Sequence, residues 1–157
     1  MRSLTALLVA LTLLALGLVW VDETYATSEE SLLVIVHAQS PVDHVSGYEV
    51  EALFTRGQTR WDDGTAVYPF SLPAGSLPRE QFDRAVLHLS PDQVGRFWLD
   101  RRIRGMGMPP KQVPTATMMM QIVANLPGAI GYMPLVHGKL SGVKVVARVV
   151  QGKVVAP

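Results

Sequence analysis

Cysteine is missing from all 157 residues. The chain therefore has no disulfide framework, thiolate metal site, cysteine nucleophile or lipid-bearing cysteine. An excess of either charge is missing too: 14 Lys and Arg stand against 13 Asp and Glu, a net charge of +1, which is too small to imply nucleic acid as a partner. Aromatic residues are few and scattered, so they build no stacking platform for bases. The four histidines, His37, His44, His88 and His137, include no pair at helical spacing and no accompanying HExxH, and no metal site is expected from them. GxSxG is absent, and Gly138-Lys139-Leu140-Ser141 lacks the upstream glycine and the serine position of a phosphate-cradling loop. Gly105-x-Gly107 follows a helix and precedes prolines, which is the wrong setting for a dinucleotide fingerprint. The expectation is a protein that is not an enzyme and carries no cofactor.

What the chain does have is an uncharged apolar run from Leu4 to Val21 behind Arg2, followed by the polar stretch from Asp22 to Glu30. That is the profile of a signal peptide, with Thr24 and Ala26 as the small residues before a cut, so residues 1–26 are expected to direct export. The alternative is an N-terminal anchor helix, because the run reaches the lower limit for spanning a bilayer. In either case residues 27–157 are expected in the periplasm, as one domain with one core.

Leu32-Leu33-Val34-Ile35-Val36 is a continuous apolar run, expected to be a strand buried on both faces. Ser46-Gly47-Tyr48-Glu49 is a capping box ahead of Val50, Leu53 and Phe54, and Gly57 ends that helix. Thr65 to Phe70 is expected to form a short strand after the turn at Trp61-Asp62-Asp63-Gly64. A second helix is expected to start near Ser76 or Pro78 with Phe82, Val86 and Leu89 on its buried stripe. Ser90-Pro91-Asp92-Gln93 opens a third, with Val94, Phe97 and Trp98 on one face. A loop from Gly105 follows, then a fourth helix capped by Thr115 and ending at Asn125, then strands over Ala129–Met133 and Val143–Val150. Strands and helices alternate, so the class is α/β, a mixed sheet covered by helices. The basic residues between Arg79 and Lys111, interleaved with Glu80, Asp83, Asp92 and Asp100, read as a solvated helical face. Met118-Met119-Met120 reads as core filling.

One segment suits a ligand. A helix N-terminus presents backbone N–H groups and a partial positive charge, so Gly75-Ser76 ahead of the second helix is suited to a small oxyanion, with Arg79 one turn in as a charge-assisted donor. The competing account makes Ser76 a plain helix cap and leaves Arg79 in solvent.

The order and spacing of Ala52 to Gly57, Trp61-Asp62-Asp63-Gly64, Gly75-Ser76, Phe82 and Pro127-Gly128-Ala129-Ile130-Gly131-Tyr132 resemble the phosphate-binding proteins of ABC transporters over about residues 31 to 150. In that family a helix ends at Phe-x-x-Gly, a tryptophan turn and a strand follow, an Arg-x-x-Gly-Ser-Gly-Thr turn holds phosphate, and a Pro-Gly-Ala-Ile-Gly-Tyr segment comes later. The resemblance implies one lobe of a type 2 periplasmic binding protein, phosphate or another small oxyanion as ligand, and an ABC transporter permease or other envelope protein as partner. Of the phosphate contacts only Ser76 transfers directly. Leu72 stands where the family has arginine, Leu77 and Pro78 replace the glycine and threonine, Arg79 is a substitute, and Ser40 after the first strand is a further candidate. A second reading follows from these departures: a lobe without ligand that serves as an interaction or sensory module in the envelope.

Overall fold

The computed structural model describes residues 31–57, 59–61, 63–135 and 140–157. The expected export segment 1–26, Asp62, and the readings made on His137 and Gly138-Lys139 lie outside the described residues. Six strands form one mixed sheet in the order β3-β2-β4-β1-β5-β6. They are β1 (Leu32–His37), β2 (Tyr68–Ser71), β3 (Lys111–Gln112), β4 (Ala129–Pro134), β5 (Val143–Val150) and β6 (Lys153–Val155). The helices are α1 (Gly47–Thr55), α2 (Leu77–Phe82, running on into a π-helical turn over Asp83–Leu87), α3 (Pro91–Ile103) and α4 (Ala116–Asn125). No helix among the described residues is long and apolar enough to cross a membrane.

The unbroken apolar run of β1 takes the interior position that such a run requires. It pairs antiparallel with β4 on one side, Val34 opposite Tyr132, and with β5 on the other, Val34 opposite Ala147. Leu32, Val34 and Ile35 are wholly inaccessible to solvent. β2 lies parallel to β4 on one side and to β3 on the other. α4 packs on β4 and β1, and α1 packs against the π-helical turn.

The helix starts follow from capping chemistry. Ser46 and Ser90 each accept the N3 amide while Glu49 or Gln93 reaches back to the N-cap amide, and the Thr115 hydroxyl accepts from Met118 N–H. Hydrogen bonds from Ser46 hold the Glu49 carboxyl below the usual carboxylate range. Within the methionine run, Met119 is fully buried while Met118 is exposed, as the divergent directions of successive helical side chains require.

Pro127 to Tyr132 is a packing motif. Gly128 has φ 85° and its carbonyl oxygen accepts the Tyr68 N–H; a Cβ there would collide with the Ala66 carbonyl oxygen. Gly131 lets the Met119 sulfur lie directly against the backbone of β4. β2 is shorter than expected at its start, because Thr65 and Ala66 are spent on a turn: Trp61 N–H bonds Thr65 O, and Arg60 bridges Ala66. β3 and β6 were not expected. Two or three residues carry no readable period, and neighbours from elsewhere in the chain define these strands.

Replacing Ser90 by alanine is expected to cost about 1 kcal/mol of stability. Gly128→Ala combines a strained backbone with a clash and is expected to cost about 3 kcal/mol. Urea unfolding of the two variants ranks them; a smaller loss for Gly128→Ala than for Ser90→Ala would contradict this account of the motif.

Candidate functional site

The region around Gly75 and Ser76 is built on three aromatic rings. Phe82 of α2 stacks on Tyr132 of β4 with centroids 3.8 Å apart and planes 4° from parallel, and Phe54 of α1 tilts against both at 4.8 and 5.9 Å. The Tyr132 hydroxyl accepts the Leu72 N–H at 3.3 Å, which fixes the chain as it leaves β2. Burial pushes the Tyr132 phenol well above its ordinary range, so it stays a neutral hydrogen-bonding group.

Arg79 lies beneath this turn. It is only 8% exposed, and its partner Asp83 only 3%. Arg79 Nε donates to both oxygens of Asp83, at 2.8 and 2.7 Å, while Nη1 points to Leu72 O at 3.4 Å. Burial raises the Asp83 carboxyl above the usual carboxylate range, and the Arg79 hydrogen bond opposes that rise. The expectation that the basic stretch from Arg79 onward is a solvated face is thus corrected for this pair. Flanked by Phe82 and Val86, the i,i+4 spacing places Arg79 and Asp83 on the inward side, where a charge persists only when paired. The remaining ion pairs of the stretch, Arg84 with Glu80 and Arg104 with Asp100, have exposed arginines.

Ser76 is the N-cap residue of α2 in position and backbone angles, but its side chain does not cap. The hydroxyl donates to Pro73 O at 2.7 Å, and the Ser76 N–H reaches the same carbonyl at 3.2 Å. Capping by the Ser76 side chain, expected from the sequence, is therefore corrected: the tight Pro73–Ser76 turn, with Gly75 at φ 81°, offers the hydroxyl a nearer acceptor. The first turn of α2 lacks the hydroxyl acceptor that α1, α3 and α4 each have.

Gly75, Arg79 and Asp83 line one cavity of about 220 Å³, walled opposite by Trp98, Pro109 and Pro110. Ser40 is not brought there. β1 and β2 run in opposite directions, since one is antiparallel and the other parallel to β4. Ser40 follows the end of β1 and the Gly75–Ser76 turn follows the end of β2, so they lie at opposite ends of the sheet. Ser40 instead gives its carbonyl to Lys144 Nζ at 2.7 Å, which also meets Asp43 at 2.7 Å. His37 Nδ1 accepts Gln39 N–H, and no group of three potential metal ligands occurs among the described residues.

No protein-family model matches the chain, and no curated protein matches it. Its architecture does match solved structures. A phosphate ABC transporter substrate-binding protein from Clostridium perfringens with bound phosphate superposes with a TM-score of 0.59 at 16% identity, over 74% of this chain and 44% of that one. An ABC-type phosphate transport receptor from Vibrio cholerae gives 0.58 at 16% identity, over 74% and 45%. PstS from Borrelia burgdorferi gives 0.59 at 13% identity, over 74% and 46%. The fold is thus that of one lobe of a periplasmic binding protein, and the chain spans less than half the length of these structures. The structures named here are solute-binding proteins of phosphate transport.

Arg79→Met is expected to destabilise the fold by about 3–5 kcal/mol, because Asp83 is left as an unpaired buried carboxylate. Adding Asp83→Leu is expected to recover most of that loss. In the single variant the folded carboxyl titrates above the unfolded value of about 3.9. The folded state then binds more protons than the unfolded one between those two values, so the penalty is full above the folded pKa and fades as pH falls towards 3.9. Thermal melts of both variants from pH 4 to 8 test this, and a pH-independent loss in Arg79→Met would contradict it.

Proposed function

We propose that this chain is an exported, non-enzymatic solute-binding lobe that takes phosphate or a similar small oxyanion at the Gly75–Ser76 turn, as an envelope component linked to ABC transport. The observation that carries the reading is the helix start itself: of the four helices among the described residues, α2 alone has no side-chain hydroxyl on its first-turn amides. Backbone N–H groups at such an end, with the aligned peptide dipoles behind them, favour an anion. Arg79 lines the same cavity as Gly75, with its charge balanced by Asp83, so the amides carry the site; the solved structures of like fold include one with phosphate bound. Residues 1–26 are read as the export signal.

A second reading is favoured by one contact. Both oxygens of Asp83 occupy Arg79 Nε, so the cation is committed within the protein, as in a lobe that has lost its ligand and acts through envelope protein contacts.

Calorimetric titration of the purified protein with phosphate, with sulfate as the control anion, separates the two. Saturable heat with phosphate is expected. Ser76→Asp places a good N-cap and a negative charge at the turn, so the fold is expected to hold while phosphate affinity falls at least about tenfold. Absence of heat at millimolar phosphate would sink the first reading and leave the second.

A further inference from the structure

A second, larger cavity adjoins the one lined by Gly75 and Arg79. It encloses about 720 Å³ between α1, the start of β2, α3 and the Gly105–Pro110 loop, which is the volume of a site for an organic molecule and far more than an inorganic oxyanion fills. Its apolar lining includes Leu53, Phe54, Phe70, Met106, Met108 and Leu126. Of these, Met106, Met108 and Leu126 are exposed.

Among the described residues the charge on the lining is all of one sign: Arg56, Arg60, Arg101 and Lys111 border the cavity, and no described Asp or Glu does. Arg56 lies over the Tyr48 ring and reaches Glu51 only at 3.9 Å. Neither Arg101 nor Lys111 forms an ion pair among the described residues. Arg101 is held in place: Nη2 donates to Met106 O at 2.8 Å, tying down the loop, and the guanidinium lies 5.5 and 5.9 Å from the Phe97 and Trp98 ring centres. The Nε–H of Arg101 and the indole N–H of Trp98 are both buried and reach no acceptor among the described residues. Such groups are uncommon in folded proteins, since each loses its hydration without a replacement. An apolar chamber bordered by cations, with adaptable methionines at the mouth, fits a ligand that is apolar along its body and anionic at one end.

We propose that this cavity binds an amphipathic organic anion, an aryl or alkyl group bearing one acidic head, with Arg101 and Lys111 taking the head and Phe70, Met106 and Met108 the body. The site does not rest on the Gly75–Ser76 reading; Trp98, Pro109 and Pro110 form a wall common to both cavities.

Two fluorescent probes of the same body test it: anilinonaphthalene sulfonate, which is anionic, and N-phenylnaphthylamine, which is neutral. Titrated into the purified protein, the sulfonate is expected to bind saturably at one site and the neutral probe at least about tenfold more weakly. Arg101→Gln is expected to weaken the sulfonate about tenfold. Because Arg101 also tethers the loop, Met108→Glu serves as the second variant: the residue is 69% exposed, so the fold holds while an acid enters the mouth, and the sulfonate is again expected to weaken. Equal binding of the two probes would overturn the proposal by reducing the cavity to an apolar patch of the kind that contacts another protein. Displacement of the sulfonate by millimolar phosphate would overturn it in favour of a small-anion site, and an unchanged affinity in both variants would place the probe elsewhere.

Discussion

The lobe is organised around the hydroxyl and ring of Tyr132. Its ring stacks on Phe82, Phe54 closes the third side, and its hydroxyl takes the amide of Leu72. One side chain thus joins β4, α1, α2 and the exit of β2. The Leu72 amide leaves the sheet ladder at that point and would otherwise be buried without an acceptor, which is the costly condition that folded proteins avoid. Everything that follows β2, including the Pro73–Ser76 turn, is placed by this anchor. The Arg79–Asp83 pair extends it, since Nη1 of Arg79 approaches the carbonyl of the same Leu72.

These residues are the ones that carry the likeness to the phosphate-binding proteins. Phe54, Phe82 and the Gly128-to-Tyr132 segment meet in space although they are far apart in sequence, and their roles are packing and backbone clearance. Leu72, Leu77 and Pro78, the positions that depart from the pattern, surround the turn instead. The residues on which the resemblance rests thus serve the packing of the lobe, and a shared fold does not by itself carry a shared ligand.

How much of this was legible beforehand depended on how local the cause was. The three hydroxyl caps and β1 are written in contiguous residues, and each formed where its residues predict. Ser76 looks identical to a cap from its neighbours, and only the carbonyl of Pro73 in a tight turn diverts its hydroxyl. The burial of Arg79 had a local signal, the acid four residues on and apolar neighbours at Phe82 and Val86, but charge density along the stretch pointed the other way. Ser40 failed to join the turn because strand direction is a property of pairing, which no local pattern discloses. The cation-bordered cavity is assembled from α1, β2, α3 and a loop, so no stretch of sequence contains it.

The central strand has a consequence for how the molecule is made. β1 comes first among the strands, yet both its partners, β4 and β5, lie between residues 129 and 150. Almost the whole chain must exist before the most buried strand has anything to pair with, and closing so long a loop slows folding. The helices and the short β2–β3 pairing need only residues that come earlier in the chain. The pairings that bury the central strand are therefore among the last contacts the sheet can make.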